Sequence, residues 1–157
     1  MGAASVVLTD LPAALPLLRT NAKHNCAAEG CELTVEPLGW GAWRSCAAPH
    51  LLRPRQYDWL VASDVLYGTT SAVPFAELVL ELFSLNPTAM LLLAYERRPD
   101  ANGLAPRAEE FFAALRGQCA VERVPQGELD PALACDDITI FRVRLCRSGT
   151  EPGVPSL

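Results

Sequence analysis

The chain has 157 residues, half of which are hydrophobic, and a formal net charge of −5. This length suits a single domain, and the hydrophobic fraction is large enough for a buried core, which excludes a globally disordered chain. A nucleic-acid-binding face is not expected, because no run of basic residues is longer than the pair Arg97–Arg98. A membrane helix is not expected either, because no stretch approaches the roughly 20 apolar residues that a span needs.

The first ten residues, MGAASVVLTD, lack the charged and apolar regions of a secretory signal. We therefore expect an intracellular protein, located in the cytoplasm or also in the nucleus. The six cysteines form no C-x-x-C pair, and with only two histidines they predict no zinc site. In a reducing compartment the six thiols are expected to stay reduced, without a disulfide.

Apolar runs typical of buried strands alternate with segments of helical period along the chain. The predicted strands are, in order, Ser5–Thr9, Leu33–Leu38, Tyr57–Ser63, Ala89–Tyr95, Cys119–Val124 and Ile138–Leu145. The predicted helices are one from Pro12 to near Gly30, one over Val73–Leu85 and one over Pro106–Arg116. Thr9 or Asp10 is expected to cap the first helix. Residues 42–56 contain two prolines and no clear period, which predicts a loop.

This order of elements predicts an α/β, Rossmann-like fold, with a mostly parallel sheet and helices on both of its faces. The last two strands are joined by a short link rich in turn residues, so we expect them to form an antiparallel edge pair. The predicted domain covers residues 1–147, and the polar residues 148–157 are expected to be a flexible tail.

Polar or aromatic residues follow four of the predicted strands. In parallel α/β sheets, ligands bind beyond the carboxyl ends of the strands. Asp10, Trp40, Ser63–Asp64 and Tyr95–Glu96 all lie at such ends. The sequence therefore predicts that these residues meet in one site at one edge of the sheet.

Several of these strand ends carry a resemblance to a known family. The segments VVLTDLP, LGWG, YDWLVASDVLY and LLLAYERR, in this order, resemble the seven-strand S-adenosylmethionine-dependent methyltransferases. More narrowly, they are similar to the methyltransferase-like 21 group of protein-lysine methyltransferases. The resemblance covers nearly the whole chain, from about Val6 to Leu145.

The resemblance implies a cofactor, a substrate class and a role for five residues. The cofactor is S-adenosylmethionine, and the acceptor is a lysine side chain of a protein. Asp10 corresponds to the acid that holds the cofactor ribose, and Trp40 to the indole beside the adenine. Ser63 corresponds to the small residue that lines the cofactor pocket. Asp64 and Tyr67, as an Asp-x-x-Tyr motif, lie where cofactor and acceptor lysine meet.

Four of these residues also have a structural explanation that needs no ligand. Asp10 and Asp64 could cap the helices that follow them, and Trp40 and Tyr67 could pack in the core. In the functional interpretation, the Asp64 carboxylate holds the arriving lysine ammonium, and Tyr67 flanks the lysine stem or faces the ammonium with its ring. The lysine must then lose a proton, since its reference pKa is about 10.4.

The chain departs from the family at the glycine-rich cofactor loop. No G-x-G occurs before Asp10, so the family's first strand, glycine loop and first helix are expected to be missing. In the family, that strand lies at the centre of the sheet, between the strands that end here at Asp10 and Ser63. Either the neighbouring strands re-pair, or the isolated chain is unstable, because each buried unpaired backbone group costs about 1–3 kcal/mol.

Three functional hypotheses follow. The first is a protein-lysine methyltransferase whose chain is incomplete. The second is a catalytically inactive remnant that serves as a protein-binding module. The third is a different nucleotide-binding α/β domain, such as a dehydrogenase fragment, and the Asp-x-x-Tyr and W-G segments argue against it.

Overall fold

A computed structural model describes residues 2–25, 30–46, 49–54, 57–66, 72–96, 108–132 and 134–146. The chain divides into two compact units, Met1–Leu52 (unit one) and Arg53–Leu157 (unit two). Each unit has its own sheet, and the two are described separately. None of the helices in these ranges is long and apolar enough to cross a bilayer.

Unit one contains two parallel strands and one longer helix. In chain order its strands and α-helices are β1 (Ser5–Asp10), α1 (Leu15–Asn25), β2 (Glu32–Pro37) and α2 (Trp43–Cys46). Short 3-10 turns cover Pro12–Ala14, Trp40–Ala42 and Pro49–Leu52. Strands β1 and β2 pair in parallel with Ser5 opposite Glu32 and Asp10 opposite Pro37, so both strands end at the same edge.

Unit two contains a four-stranded sheet and two amphipathic helices. Its strands and α-helices are β3 (Trp59–Ser63), α3 (Ala72–Leu85), β4 (Met90–Glu96), α4 (Ala108–Leu115), β5 (Cys119–Arg123) and β6 (Ile138–Leu145), with a 3-10 turn at Gln126–Glu128. The strand order is β3-β4-β6-β5. Strands β3 and β4 are parallel, whereas β6 is antiparallel to both β4 and β5.

Aromatic rings fill much of the core of unit two. Phe75 of α3 stacks on Phe111 of α4 with 5.3 Å between the ring centroids. Phe112 contacts Phe141 of β6 edge to face at 4.8 Å. Phe111 is fully buried, as are Leu91 and Leu93 of β4 and Val143 of β6. Helices α3 and α4 therefore attach to the sheet through the apolar faces that their sequence period predicts.

Strand β3 is an edge strand, and its outer edge is apolar. The bonds Met90 N–H to Asp58 O (3.0 Å) and Asp64 N–H to Ala94 O (3.1 Å) bracket its parallel ladder. In a parallel ladder, every second residue of a strand bonds to a given neighbour. Since Asp58 and Asp64 bond to β4, the N–H and C=O groups of the odd-numbered residues of β3 point away from β4. These residues are Trp59, Val61 and Ser63; Trp59 is 55% and Val61 77% exposed.

The α/β class and the antiparallel C-terminal edge pair are confirmed. Among the described residues, β1 and β2 pair with each other, and the remaining strands form a four-stranded sheet. The single-domain assignment of residues 1–147 stays a prediction, and residues 148–157 lie outside the described ranges.

Two local predictions need correction. Residues 42–56 are not simply a loop, because Trp43–Cys46 and Pro49–Leu52 form helical turns anchored by the buried side chains of Trp43 and Leu51. Neither Thr9 nor Asp10 caps a helix: the residue before the first 3-10 turn is Leu11, without a side-chain cap.

Candidate functional site

Asp10 ends β1 and exposes its carboxylate at the carboxyl edge of the unit-one sheet. Its Oδ1 accepts a hydrogen bond from the N–H of Leu11 at 2.6 Å, and its carbonyl accepts one from the N–H of Leu38 at 2.9 Å. Among the described residues, no group hydrogen-bonds to the other carboxylate oxygen. The backbone thus holds Asp10 in place and leaves one oxygen able to accept ligand hydroxyls.

Trp40 lies at the same edge of that sheet. It follows the end of β2 by three residues and opens the turn closed by the bond from Ala42 N–H to Gly39 O, at 3.1 Å. A Cβ atom on Gly39 would lie 3.6 Å from the Leu11 side chain, so this turn lies against the residue after Asp10. The structure therefore brings the half-buried Trp40 and the exposed Asp10 to one end of the β1–β2 pair.

Ser63 and Asp64 lie at the carboxyl end of β3 in unit two, and both side chains are exposed. Asp64 has a φ of 52°, the only positive value among the described non-glycine residues. Its N–H still bonds Ala94 O at 3.1 Å, and Leu66, two residues later, is buried at 3% exposure. Strained backbone of this kind costs on the order of 1–3 kcal/mol and tends to occur at functional sites.

The helix-cap explanation of Asp64 concerns residues 67–71, which lie outside the described ranges, and it stays a prediction. Of the residues that follow Asp64 directly, Leu66 is buried, and helix α3 is described from Ala72 onwards. Tyr67, the second residue of the Asp-x-x-Tyr motif, lies outside the described residues. Its predicted role beside the acceptor therefore stays a prediction.

Glu96 is a further acid near Asp64 that the sequence analysis placed at a strand end without giving it a role. It ends β4, and the register pairs Ser63 with Ala94 on these parallel neighbours. Asp64 and Glu96 thus leave the sheet at the same edge, two carboxylates on adjacent strand ends. The rule that ligands bind at strand ends was the signal that pointed to Glu96. Such an edge suits a cationic ligand group.

Unit one therefore contains Asp10 and Trp40 at one strand edge, and unit two contains Ser63 and Asp64 at another. Within the described ranges, no group of three histidine, cysteine or acidic side chains is arranged to hold a metal ion. The roles of Asp10, Trp40, Ser63 and Asp64 as ligand-binding or catalytic residues stay predictions.

Comparisons with known proteins agree with this architecture. A family model described as lysine methyltransferase matches residues 1–118. Two solved structures superpose on the chain: mitomycin 7-O-methyltransferase MmcR, with a TM-score of 0.51 and 18% identity, and LaPhzM, with 0.50 and 14%.

Both alignments cover 89% of the chain, which spans only 41% of the length of MmcR and 42% of LaPhzM. At these identities the likeness supports the fold alone. No curated protein sequence matches the chain significantly. Because the family model covers three quarters of its residues, the chain belongs to the lysine methyltransferase family.

Proposed function

We propose that the chain carries the adenosine-binding and acceptor-side residues of an S-adenosylmethionine-dependent protein-lysine N-methyltransferase, and that it acts in the cytoplasm or nucleus. The match to the lysine methyltransferase family over residues 1–118 carries this proposal. The strand-end positions of Asp10 and Asp64 support it, because that is where parallel α/β sheets bind their ligands.

The residues of unit one fit the adenosine half of the cofactor. Asp10 offers a solvent-facing carboxylate oxygen, which suits the paired hydroxyls of a ribose. Trp40, at the same edge, offers an aromatic face on which adenine can stack. These two residues therefore fit the adenosine half of the cofactor.

The residues at the end of β3 suit the acceptor. When bound, S-adenosylmethionine supplies an electrophilic methyl group, and the acceptor must present a neutral amine to it. Asp64 can attract the lysine ammonium and orient it, with Glu96 adding negative charge at the next strand end. Ser63 borders this position, and its small side chain leaves room for the cofactor. Tyr67 is proposed to flank the lysine stem.

Calorimetric titration with S-adenosylhomocysteine tests the cofactor half of the proposal. We expect Asp10→Ala to weaken binding about tenfold, since a hydrogen bond to a charged group contributes about 1.5–3 kcal/mol. Asp58→Ala is the matched control, because Asp58 is also an exposed strand-terminal acid but precedes β3. Equal losses in both variants, or none in either, would contradict the role of Asp10.

A second titration tests how much the family's glycine loop contributes to cofactor binding. A version of the chain extended at its N-terminus by a family-type strand, glycine loop and helix is expected to bind S-adenosylhomocysteine at least about tenfold more tightly. The same two proteins are then assayed with labelled S-adenosylmethionine and either poly-L-lysine or poly-L-arginine as acceptor. Transfer to polylysine alone, lost in Asp64→Ala, is the expected result for the extended protein. Transfer to polyarginine alone would contradict lysine specificity.

The second candidate is a protein-binding module without catalysis. Under this candidate, neither the chain nor its extended version transfers methyl groups, and Asp10→Ala changes nothing in the titration.

A further inference from the structure

Unit one contains an open cleft of about 410 Å³ between α1 and β2. Its lining combines two cations with apolar side chains, and we call it the α1–β2 cleft: Arg19, Ala22, Lys23, Leu33 and Val35. Its described lining includes none of Asp10, Trp40, Ser63 and Asp64, which are assigned to cofactor or acceptor. The cleft therefore needs an explanation of its own.

Among the described residues, the two cations of the cleft have no ion-pair or hydrogen-bond partner. Arg19 and Lys23 are one helical turn apart on α1, so their side chains project from the same face. Neither makes an ion pair or hydrogen bond in the part of the chain that the structure describes. Helix α1 contains no acidic residue, and the described residues that line the cleft include none. In a chain with a net charge of −5, two adjacent unpaired cations favour an anionic occupant.

The backbone beside these cations is an unpaired strand edge. The bonds Glu32 N–H to Ala4 O and Leu38 N–H to Asp10 O, each 2.9 Å, bracket the ladder between β1 and β2. Because bonding groups alternate, the N–H and C=O of Leu33 and Val35 point away from β1. The side chains of these two residues line the cleft, whereas the alternation of a strand directs Glu32 and Glu36 to the opposite face.

The spacing of the cations matches that of a strand laid along this edge. Residues four apart on a helix are separated by about 6 Å along its axis. Alternate residues of a strand, which share one face, are separated by about 6.6–6.8 Å. Two acidic residues at positions k and k+2 of an added strand can therefore reach Arg19 and Lys23 together.

We propose that the outer edge of β2 is a docking site for an extended acidic segment of a partner protein, which adds to the sheet as a third strand. Its backbone pairs with the outward groups of Leu33 and Val35. Its alternate carboxylates bind Arg19 and Lys23 over the apolar floor. Main-chain bonds provide affinity in this mode of recognition, and the side chains provide selectivity. The proposal does not depend on methyl transfer.

The test uses the whole chain and a fluorescein-labelled peptide, acetyl-(Asp-Val)4-amide, in an anisotropy titration. We expect the charge-reversed variant Arg19→Glu/Lys23→Glu to bind at least about tenfold more weakly. The matched control is Arg116→Glu/Arg123→Glu, which reverses two exposed arginines of unit two and should change the affinity less than about twofold. Circular dichroism checks that both variants keep the secondary structure of the parent.

Three further arms use the unaltered chain. The peptide acetyl-(Asp-Asp-Val-Val)2-amide has the same composition without the alternation, and a fully N-methylated (Asp-Val)4 has the same charge without amide donors. Both are expected to bind at least about tenfold more weakly. Inorganic pyrophosphate is expected to compete poorly. Equal binding of either control peptide, displacement by micromolar pyrophosphate, or no loss in the charge-reversed variant would overturn the proposal.

Discussion

The two units differ sharply in how much core they contain. The ten largest fully buried side chains among the described residues all belong to unit two, with Phe83 and Phe111 the largest. In unit one the buried hydrophobic residues are Leu15, Ala22, Trp43 and Leu51. Two paired strands alone are marginally stable in water, and further strands and packing against helices add stability. The proposed acceptor residues therefore belong to the unit with the larger buried core. The proposed adenosine-binding residues belong to the unit with the smaller core, whose folded state ligand binding can stabilise further.

The largest expected change in stability comes from removing a buried side chain from the core of unit two. Phe111→Ala removes a fully buried ring that contacts Phe75 and Phe112, and we expect it to lower the free energy of unfolding by about 3–5 kcal/mol. In unit one, Leu17→Ala should change it by less than about 0.5 kcal/mol, because Leu17 is 67% exposed. Urea unfolding measures both. Similar losses in the two variants would mean that the units do not differ as described.

Thiol reactivity tests how well the core of unit two is protected, by comparing a buried with an exposed cysteine of that unit. Burial, with a smaller contribution from Cys146, raises the pKa of Cys119 to about 12. We expect alkylation of Cys119 by iodoacetamide to be at least about 100-fold slower than that of the exposed Cys135. Mass spectrometry of timed, quenched samples measures both rates, and comparable rates would show that the β5 end of the core opens readily.

The raised pKa of Cys119 makes the free energy of unfolding depend on pH in the alkaline range. Above about pH 9 the unfolded thiol of Cys119 loses its proton while the folded one keeps it. The unfolded state then binds fewer protons, so the free energy of unfolding falls as the pH rises from about 9 towards 12. Cys119→Ala should flatten this part of the profile, and an unchanged slope would contradict the assignment.

Asn86 provides a test of a buried polar contact that anchors β3. Its Oδ1 accepts a bond from Tyr57 N–H at 3.0 Å, and its Nδ2 donates to Leu82 O at 2.9 Å. Asn86→Ala should lower the free energy of unfolding by about 1–3 kcal/mol, because the part-buried N–H of Tyr57 loses its acceptor. Asn25→Ala removes a similar bond, to Asn21 O, on the exposed helix α1 and should cost well under 1 kcal/mol. Thermal unfolding of both variants measures the difference, and equal shifts would contradict it.

The smallest expected effect concerns the backbone at Asp64. Glycine adopts a φ of 52° without the steric cost that a side chain carries. Asp64→Gly should therefore be about 0.5–1 kcal/mol more stable than Asp64→Ala, since both variants lose the carboxylate and only one relieves the strain. Urea unfolding of the pair isolates this term. An alanine variant as stable as the glycine variant would show that the conformation is not strained.

Elements with long, regular patterns could be predicted well from the sequence. Strand β6 spans Ile138–Leu145 as predicted, and helix α3 begins one residue before the predicted Val73. In both, apolar residues recur at the period of the element over eight or more residues, so tertiary context has little to override.

Short and tertiary features could not be predicted in this way. The four-residue helix Trp43–Cys46 is too short to show a period and depends on burial of Trp43. The division into two sheets is a matter of pairing, which strand patterns do not encode. At the candidate site, the sequence predicts the strand ends at Asp10 and Ser63 correctly. It does not predict the left-handed backbone of Asp64 or the hydrogen bond from Leu11 N–H to Asp10, because both depend on local geometry.

The outer edge of β3 also bears on how concentrated a solution of this chain can become. Trp59 and Val61 present apolar side chains and unpaired amide groups together, without a lysine or proline in the strand to block a second copy. Association through such an edge depends on concentration, whereas folding of a single chain does not. The fraction of dispersed monomer is therefore expected to fall as the protein is concentrated, even under conditions in which every chain is folded.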